Sequence, residues 1–367
     1  MITWDQFLER LKERWADMPT PQILLFEVVV VVAAILTYRF LATRIRHALA
    51  HMALIAVGMF LVEFFTGPMW KNLHLGPWAY VYSDVSWILT IAWVVIISLA
   101  VYVVERVLGA TVPWKRYVLF LAIITPVIIV CDGLVRWLGI RESSPETAAA
   151  AGPAMLPIIN VPVAGLYYAP VVMTLVYSFY KHWLPAIEPG AATKRRLPFL
   201  NRLALTTIAV FLFEIAVEPM ARNVNFPAWS YVFHDITVIM TGLWIAIVAG
   251  STLLVDRFLP RTDARLKFAA YLVLITLIYA PIEAWFLHNG YRVYGPSATA
   301  DFIGLRTVVL DLPIEVLAAI PIYLSLVICF VRYWDGSVDR TLGFRPREDE
   351  KRATAAPAIT APLAGRP

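Results

Sequence analysis

Two short stretches of the chain repeat each other and decide how the rest is interpreted. "GPWAYVYSD" runs from Gly76 to Asp84, and "PAWSYVFHD" runs from Pro227 to Asp235. Each joins a Trp-x-Tyr-Val core to a closing aspartate, within a chain that is otherwise strongly apolar. A polar and aromatic pattern that occurs twice in such a chain indicates an internal duplication.

The duplication extends well beyond these two stretches. Adding 151 to a first-copy number gives the second-copy counterpart without a shift of register: Glu63 gives Glu214, Asn72 gives Asn223, Trp93 gives Trp244, Asp132 gives Glu283 and Arg141 gives Arg292. The repeat covers about 135 residues, as 48–183 and 199–334, with four apolar spans in each copy. An even number of spans predicts a parallel repeat about an axis along the membrane normal. We expect the two four-helix units to face each other across a central space.

Composition places the chain in a membrane. Of its 367 residues, 60% are hydrophobic and only 16% are charged, and the mean hydropathy is +0.70. Apolar segments of about twenty residues span a bilayer as helices. Nine are predicted, at 22–42, 48–65, 84–108, 114–138, 157–181, 199–218, 235–258, 265–288 and 309–331. The predicted fold is an all-α integral membrane protein with nine transmembrane helices, consisting of two parallel four-helix repeats and one extra N-terminal span within 22–47.

The two ends of the chain and its basic loops predict the orientation. Residues 1–21 show the spacing of an amphipathic helix that lies on the outer face, and 335–367 reads as a disordered cytoplasmic tail. The loops containing Arg44, Arg106, Arg195 and Arg261 fall on the side of the basic tail. The positive-inside rule makes that side cytoplasmic and the N-terminus external, as in a bacterial inner-membrane protein. Topology therefore accounts for the net charge of +5 without a nucleic-acid partner.

Polar residues gather at one depth, near the outer ends of the predicted spans. They are Glu63, Asp84, Asp132 and Asn160 in the first copy, and Glu214, Asp235, Glu283 and Asp311 in the second. A carboxylate at membrane depth is costly and usually faces the interior of a helix bundle. Helix capping explains Asp84, Asp235 and Asp311 equally well. For the acids near helix C-terminal ends, the alternative is pairing with Arg141 or Arg292.

The second copy has gained ionisable groups. Glu218, His234, His288, Asp311 and Glu315 stand where the first copy has Gly67, Ser83, Trp137, Asn160 and Ala164. Glu214 and Glu218 share a helix face by spacing, as do Asp311 and Glu315. Two carboxylates held close in an apolar setting retain a proton, which predicts a general acid, whereas a hydrogen-bonded lattice between helices is the alternative. We expect the main cavity to open against spans six to nine and to be lined by Glu214, Glu218, Asp235, Glu283, Asp311 and Glu315, with Glu63 and Asp132 structural or auxiliary.

Aromatic and polar side chains near these acids are the candidate substrate-binding residues. They are Trp78 and Tyr80 in the first copy, and Asn223, Trp229, Tyr231, Trp244, Trp285, Tyr291 and Arg292 in the second. Aromatic residues at membrane interfaces often form belts and nothing more. Rings that line a cavity instead stabilise a cation, and beside a protonated carboxylate they suit the protonation of a carbon–carbon double bond.

Several motifs resemble those of integral-membrane carotenoid enzymes. "NGYRVYG" at Asn289–Gly295 and "LDLPIEVLAAIPIYL" from Leu310 resemble the lycopene cyclase domain, in which an aromatic loop precedes a Pro-x-Glu-Glu signature. The pattern from Glu63 to Trp93 is similar to the outer loop of the related carotenoid hydratases. The chain departs from the signature at Val316, and the first copy lacks both of its acids.

The resemblance implies an enzyme that acts on the end of a polyisoprenoid, such as a carotenoid, drawn from the lipid phase. It implies proton transfer by acids, with membrane lipids as surroundings and no cofactor; Cys131 and Cys329 lie in apolar segments and predict no metal site. Glu315 or Glu283 is then expected to protonate the terminal double bond. Trp229, Tyr231 or Trp285 would hold the cation, and Asp235 with His234 would remove the last proton or orient a water.

Three other functions stay open at the level of sequence. A secondary transporter also uses repeats, proline-interrupted helices and carboxylates within the membrane. A nine-span prenyltransferase would need clustered aspartates to hold magnesium pyrophosphate, and the cytoplasmic loops contain no such run. A non-catalytic membrane scaffold is the third.

Overall fold

The computed structural model describes residues 19–82, 84–109, 112–188, 198–300 and 302–342. The predicted interfacial helix lies almost wholly outside these residues, and so does Ser83. The tail was predicted to begin at residue 335, but a helix continues to Leu342. The remainder of that predicted tail, 343–367, also lies outside the described residues.

Eleven α-helices are present in the described part of the chain. In the first half they are α1 Pro21–Ala42, α2 Ala48–Thr66, α3 Trp87–Leu108, α4 Pro113–Trp137, α5 Pro145–Ala151 and α6 Gly165–Trp183. In the second half they are α7 Phe199–Val217, α8 Val238–Phe258, α9 Ala264–His288, α10 Pro296–Ala300 and α11 Ile314–Leu342. The order of helices from α2 to α6 is repeated from α7 to α11.

Short strands join these helices in antiparallel pairs. They are β1 Trp70–Asn72 with β4 Arg141–Ser143, β2 Tyr80–Tyr82 with β3 Val85–Ser86, β5 Met155–Leu156 with β6 Val161–Pro162, β7 Ala221–Asn223 with β10 Arg292–Tyr294, and β8 Tyr231–Phe233 with β9 Ile236–Thr237. The two longer pairs keep the same register, since Asn72 faces Arg141 and Asn223 faces Arg292. Both pairs follow the C-terminal end of a long helix, so each closes the same end of its half.

The chain is an α-helical membrane protein. Eight helices in the described part are long and apolar enough to cross a membrane: α1, α2, α3, α4, α7, α8, α9 and α11. Helix α6 has 19 residues but is less apolar, because it contains four tyrosines and ends in Lys181 and His182. It is nevertheless largely enclosed, with every residue from Val171 to Tyr180 buried.

Helices α3 and α8 begin three residues later than predicted, and the reason lies in their caps. The hydroxyl of Ser86 accepts the backbone N–H of Leu89, and the hydroxyl of Thr237 accepts that of Met240. Asp84 and Asp235 precede these caps, in the hairpins β2–β3 and β8–β9. Capping by these two aspartates was one sequence-level explanation, and it is wrong because hydroxyl residues occupy the cap positions.

The centre of the molecule is filled by two helices. Helices α6 and α11 pack against each other more extensively than any other pair in the described residues. Their buried side chains belong to one continuous apolar core, in which the rings of Tyr177 and Tyr333 lie 6.0 Å apart. The expected central space is therefore replaced by direct helix packing. Two open volumes are each lined mainly by one half, although the one in the second half also meets Phe64, Phe65, Gly67, Pro68, Tyr82 and Val85 of the first half.

Candidate functional site

Two cavities lie at equivalent places in the two halves. The second-half cavity has a volume of about 150 Å³ and is lined by Glu214, Glu218, Glu283, Arg292, Glu315 and Tyr323 among others. The first-half cavity has a volume of about 130 Å³ and is lined by Glu63, Asp132, Arg136, Arg141, Ala164 and Val172 among others. A cavity of roughly 150 Å³ accepts a benzene-sized group. Each cavity therefore has room for the end of a chain molecule and not for a whole long chain.

Glu283 is the central acid of the second-half cavity. It is 1% exposed, and its Oε1 lies 3.2 Å from Nε of Arg292. The hydroxyl of Tyr294 donates to the same oxygen at 2.6 Å, and the hydroxyl of Tyr279 donates to Oε2. The carboxyl group of Glu283 is therefore surrounded by one cation and two hydroxyl donors. Pairing with Arg292 was the sequence-level alternative for this residue, and the structure places the two side chains together.

A polar framework holds Arg292 in this position. Its Nη1 donates to Oδ1 of Asn223 at 2.6 Å, and Nδ2 of Asn223 donates to the carbonyl of Asp235 at 2.8 Å. The hydroxyl of Tyr231 donates to the Asn223 carbonyl at 3.2 Å. Burial opposes the charge on Arg292, but Glu283 together with Tyr279 and Tyr294 more than offsets it, so the pKa of Arg292 lies above its ordinary value. Arg292 is a permanent counter-charge to Glu283.

Glu315 lies in the first turn of α11 and has a different environment. Its Oε1 accepts the backbone N–H of Ile303 at 2.6 Å, whereas its Oε2 is buried and has no hydrogen-bond partner. No basic side chain among the described residues forms an ion pair with it. Glu315 therefore has one hydrogen bond from a backbone N–H, one buried oxygen without a partner and no cation beside it.

Three more acids lie near the cavity. Thr241 donates to Glu214 at 2.5 Å, and Arg222 pairs with Asp235 at 2.5 Å. Glu218 lies 3.6 Å from Nδ1 of His234. Burial raises the pKa of Glu218 above its ordinary value, although His234 opposes the shift. Glu218 is thus a carboxyl that exchanges its proton closer to neutral pH than a surface glutamate does.

Aromatic rings form the apolar wall around these acids. Trp244 stacks on Tyr279 with ring centroids 3.6 Å apart, and Phe213 stacks on Tyr323 at 4.2 Å. The edge of Trp244 faces Tyr323 at 5.7 Å and links the two stacks. Sequence reasoning selected Trp244 but missed Tyr279, Tyr323 and Phe213. The available signal was the repeat itself, since Ile128, Val172 and Val62 stand at the matching first-half positions.

Asp311 was expected to share a helix face with Glu315 and to line the cavity, and this is wrong. Helix α11 begins at Ile314, so Asp311 precedes it in a loop with a φ of 48°. There its carboxylate is exposed and pairs with Arg306 at 2.6 Å. The helical spacing argument fails because the residues before Ile314 are not helical.

Several predicted aromatic residues lie outside the cavity. Trp229 is 73% exposed and Trp285 is 55% exposed, and Trp285 stacks on Tyr291 with centroids 5.6 Å apart. These positions suit belt residues at a membrane interface. They do not line the second-half cavity, so the expectation that Trp229 or Trp285 would hold a cation there is wrong. Tyr231 and Tyr291 likewise stay outside it.

The first-copy aromatic candidates have structural partners. The indole N–H of Trp78 donates to Glu27 of α1 at 2.9 Å, and the backbone N–H of Gly76 donates to the same carboxylate at 2.7 Å. The hydroxyl of Tyr80 donates to the Asn72 carbonyl at 2.8 Å, as Tyr231 does for Asn223. Helix α1 has no counterpart in the second half. No residue equivalent to Glu27 therefore accepts the indole N–H of Trp229, and this side chain is exposed.

The first-half cavity contains the same framework around a different charge balance. Nε of Arg136 lies 2.7 Å from Oδ2 of Asp132, and Nη1 of Arg141 lies 3.9 Å from its other oxygen. Nε of Arg141 donates to Asn72 at 3.1 Å, and Glu63 accepts the hydroxyl of Thr90. Ile128, Ser143 and Ala164 stand where the second half has Tyr279, Tyr294 and Glu315. In the first half, Asp132 therefore lies between two arginines. At the position equivalent to Glu315 the first half has Ala164 and so has no acid there.

Metal binding has no support in the described residues. Across 19–82, 84–109, 112–188, 198–300 and 302–342, no group of three or more His, Cys, Asp or Glu side chains is arranged to hold a metal ion. The groups available for chemistry in these cavities are carboxyls, phenols, arginines and rings.

Comparison with known proteins does not identify a relative. No protein-family model, no curated protein and no solved structure matches the chain. The interpretation of the two cavities therefore depends on their own geometry and on their comparison with each other.

Proposed function

We propose that the chain is a membrane enzyme that protonates the terminal carbon–carbon double bond of a lipid-phase polyisoprenoid of the carotenoid type and guides the cation to cyclisation or hydration. The observation that carries this proposal is the pair of acids in the second-half cavity. Glu315 has a buried oxygen without a partner, and Glu283 lies 3.2 Å from Arg292. Two acids whose surroundings favour different protonation states suit a proton donor and a cation stabiliser.

The proton donor in this proposal is Glu315. Sequence reasoning left Glu315 and Glu283 as equal candidates for that role. Glu283 is a poor donor, because Arg292 and the hydroxyls of Tyr279 and Tyr294 stabilise its ionised form. Glu315 has neither a cation nor a side-chain donor and lines the same cavity. The two acids therefore have distinct roles.

The aromatic wall and Glu283 stabilise the cation that follows protonation. The faces of Trp244, Tyr279 and Tyr323 attract a positive charge, and the wall excludes water that would screen it. Ionised Glu283 lies at one end of this wall. Its negative charge is already in place before the cation forms, so no solvent rearrangement is needed at that moment.

The atoms balance without a cofactor. The proton of Glu315 adds to one carbon of the terminal double bond, and the other carbon becomes cationic. For cyclisation, a neighbouring double bond attacks that carbon, a carbon–carbon bond forms, and a proton leaves to a carboxylate. For hydration, a water oxygen attacks and releases its proton. Glu218 beside His234 is the proposed acceptor, because its raised pKa allows it to hold a proton near neutral pH.

The finer architecture we propose is nine spans in two parallel repeats. Helix α6 is the ninth span, because its two ends meet the two ends of α2. The hydroxyl of Tyr168 donates to Met69 at 3.1 Å, just beyond the last turn of α2, and Tyr180 contacts His51 in the first turns at 2.8 Å. A helix that reaches from one end of a spanning helix to the other crosses the same layer.

Contacts between matched positions support a two-fold axis along the membrane normal. Glu146 accepts the backbone N–H of Ser297 at 2.9 Å, and these positions differ by the repeat offset of 151. Tyr117 packs against Trp334 with centroids 5.0 Å apart, and their counterparts Phe268 and Trp183 pack at 5.0 Å. Reciprocal contacts of this kind are those of an isologous two-fold interface. Because each copy has an even number of spans, we propose that this axis lies along the membrane normal.

The orientation we propose follows the charges of the loops. Nine spans place the two ends of the chain on opposite sides, with the N-terminus outside and the basic C-terminal side in the cytoplasm of a bacterial inner membrane. Both cavities then open toward the outer half of the bilayer. A substrate dissolved in the acyl chains reaches them from the lipid phase.

Product mass tests this function. The purified protein is incubated in lipid vesicles with extracted polyisoprenoids, and products are analysed by chromatography and mass spectrometry. Cyclisation leaves the mass unchanged but shifts the retention time, and hydration adds one water. The matched control is Glu63→Gln, which alters the equivalent first-half cavity and is expected to keep turnover. If the parent protein shows no turnover but carries a solute across the vesicle membrane, the enzyme proposal is wrong and transport replaces it.

A further inference from the structure

A third cavity lies at the opposite end of the first half. It is formed where α1, α3 and α6 end and where α2 and α4 begin, and its volume is about 420 Å³. Its polar lining consists chiefly of His51, Ser98, Glu105, Arg116, Tyr180 and Lys181. The loops on this side are the basic ones. The cavity is therefore a polar chamber between helices on the basic face of the protein, far from the two cavities described above.

Cations outnumber acids in this chamber. Two of the cations pair with Glu105. Nζ of Lys181 lies 2.5 Å from its Oε1, and Nη1 of Arg116 lies 2.9 Å from its Oε2. Arg106 lines the chamber as a third cation. The second acid, Glu188, lies 3.1 Å from Nε2 of His51. The chamber therefore has a positive charge available for a ligand after its internal pairs are formed.

Two donors in the chamber lack partners. Nε of Arg116 and Oγ of Ser98 are buried and make no hydrogen bond, and the Ser98 side chain is fully enclosed. Buried donors are nearly always satisfied in folded proteins. A ligand with several acceptor oxygens would satisfy both donors and use the excess positive charge.

The matching region of the second half has different pairs. Asp256 stands in the place of Glu105, and it accepts Arg332 at 2.8 Å and the hydroxyl of Tyr271 at 2.5 Å. Arg202 stands in the place of His51, lies 3.9 Å from Asp256 and has a buried Nε without a hydrogen bond. Ala249 replaces Ser98, and Lys267 replaces Arg116. Helix α1, which lines the chamber with Leu41, has no second-half counterpart. The chamber therefore differs from the matching region in its donors and in the wall that α1 provides.

We infer that this chamber binds a phosphate group at the membrane surface, carried by an anionic phospholipid headgroup or present as inorganic phosphate. Basic pockets between transmembrane helices on the cytoplasmic side recognise phosphate-bearing headgroups. Arg116 and Lys181 supply charge, and Ser98 supplies a neutral donor. Leu41, Ile45 and Val101 give the chamber an apolar wall, against which the glycerol and first acyl carbons of a lipid would pack.

Lipid binding by the full-length protein tests the inference. The protein in a neutral detergent is mixed with phosphatidylglycerol, phosphatidylcholine or inorganic phosphate, and native mass spectrometry and the thermal unfolding midpoint report binding. The parent is expected to retain phosphatidylglycerol over phosphatidylcholine. Arg116→Gln should weaken this retention about tenfold, because a charge-assisted hydrogen bond to phosphate is lost. Lys267→Gln, the matched second-half change, should leave it unaltered.

A second variant keeps the test decisive if Arg116→Gln does not fold. Ser98→Ala removes a hydroxyl that bonds to nothing within the protein, so it should fold normally and weaken phosphatidylglycerol retention about threefold. A midpoint shift with inorganic phosphate identifies the free ion as a ligand, and a shift with phosphatidylglycerol alone identifies the lipid; either supports the site. The inference is overturned if both variants bind phosphatidylglycerol and inorganic phosphate as the parent does, or if the parent shows neither a preference for phosphatidylglycerol nor a midpoint shift with inorganic phosphate.

Discussion

In the first half, Asp132 faces two arginines, whereas in the second half the equivalent Glu283 faces one arginine and two tyrosine hydroxyls. The asparagine–arginine framework beneath them is the same, as is the threonine that donates to the neighbouring glutamate. The scaffold of the site has therefore been retained in both halves. What changed is the set of groups that faces the open volume.

The two cavities also differ in the numbers of acids and cations that line them. In the first-half cavity, the acids Glu63 and Asp132 are matched in number by Arg136 and Arg141. The second-half cavity adds Glu218 and Glu315 and has Leu287 at the position of Arg136. Acids in excess of cations in an apolar cavity retain protons. The first-half cavity is balanced in formal charge, whereas the second-half cavity has an excess of acids, to which we assign proton transfer in the proposed function.

The largest expected effect concerns the acid found only in the second half. Glu315→Gln keeps the size and hydrogen-bonding shape of the side chain but removes the proton supply. Turnover of a polyisoprenoid should fall by about 10²–10⁴-fold, the usual contribution of a general acid. Glu63→Gln serves as the first-half control and should leave the rate near that of the parent. Equal rates in the parent and Glu315→Gln would remove Glu315 from the mechanism.

The next largest effect concerns the arginines. Arg292→Met leaves Glu283 buried without a counter-charge, so it should lower the free energy of unfolding by roughly 3–5 kcal/mol. Arg141→Met should cost less, because Arg136 still pairs with Asp132 at 2.7 Å. Reversible unfolding in mixed detergent micelles measures both. Losses of equal size in the two variants would contradict the different charge balance of the cavities.

A smaller effect is the pH dependence that Glu218 adds to the second half. Burial raises its pKa above the ordinary value of 4.5, against the opposing effect of His234 and with a further rise from Asp235. A group with a raised folded-state pKa gives stability that is fully present below its unfolded pKa and is lost as pH rises through the folded value. The unfolding midpoint of the parent should therefore fall as pH increases from 4.5 toward neutral. Glu218→Gln should flatten that decline, and an unchanged slope would argue against a shifted Glu218.

The smallest effect should be the same in both halves. Ser86→Ala and Thr237→Ala each remove a helix cap, and each should cost about 1 kcal/mol of stability with little change in turnover. The caps belong to the shared scaffold, since Ser86 begins α3 and Thr237 begins α8. Unfolding free energies and product rates measured side by side check this. A large loss of turnover in Thr237→Ala alone would mean that the α8 cap also positions the site.

The helices were largely predictable, because apolar segments of about twenty residues and the internal repeat are both visible in the sequence. Their starts were less so. Hairpins precede α3 and α8, and a loop with a left-handed Asp311 precedes α11, so hydropathy alone extended these spans too far toward the N-terminus. Helix α6 was predicted as an apolar span at 157–181, but it begins later, at Gly165, and its tyrosines and basic residues near the C-terminal end make it less apolar than the other long helices.

The site was predictable where the two copies carry matching polar residues. Glu214, Glu283 and Arg292 were found in this way, and Glu218 and Glu315 were found as acids gained by the second copy. Tyr279 and Tyr323 were missed although the repeat carried a signal, since Ile128 and Val172 stand at the matching first-half positions. A tyrosine in an apolar helix does not by itself show which face it occupies. Trp229 and Trp285 were chosen as rings near acids, but the fold turns them to the outside.

Deuterium transfer tests the central claim most directly, because it follows the proton itself. The parent, Glu315→Gln and Glu63→Gln are incubated with a polyisoprenoid in D₂O, and the recovered product is exchanged back into H₂O before mass analysis. The proposal predicts one carbon-bound deuterium at each reacted end for the parent and for Glu63→Gln, and almost no labelled product for Glu315→Gln. Product without carbon-bound deuterium, or labelling by Glu315→Gln at the parent rate, would contradict the assignment of chemistry to the second half.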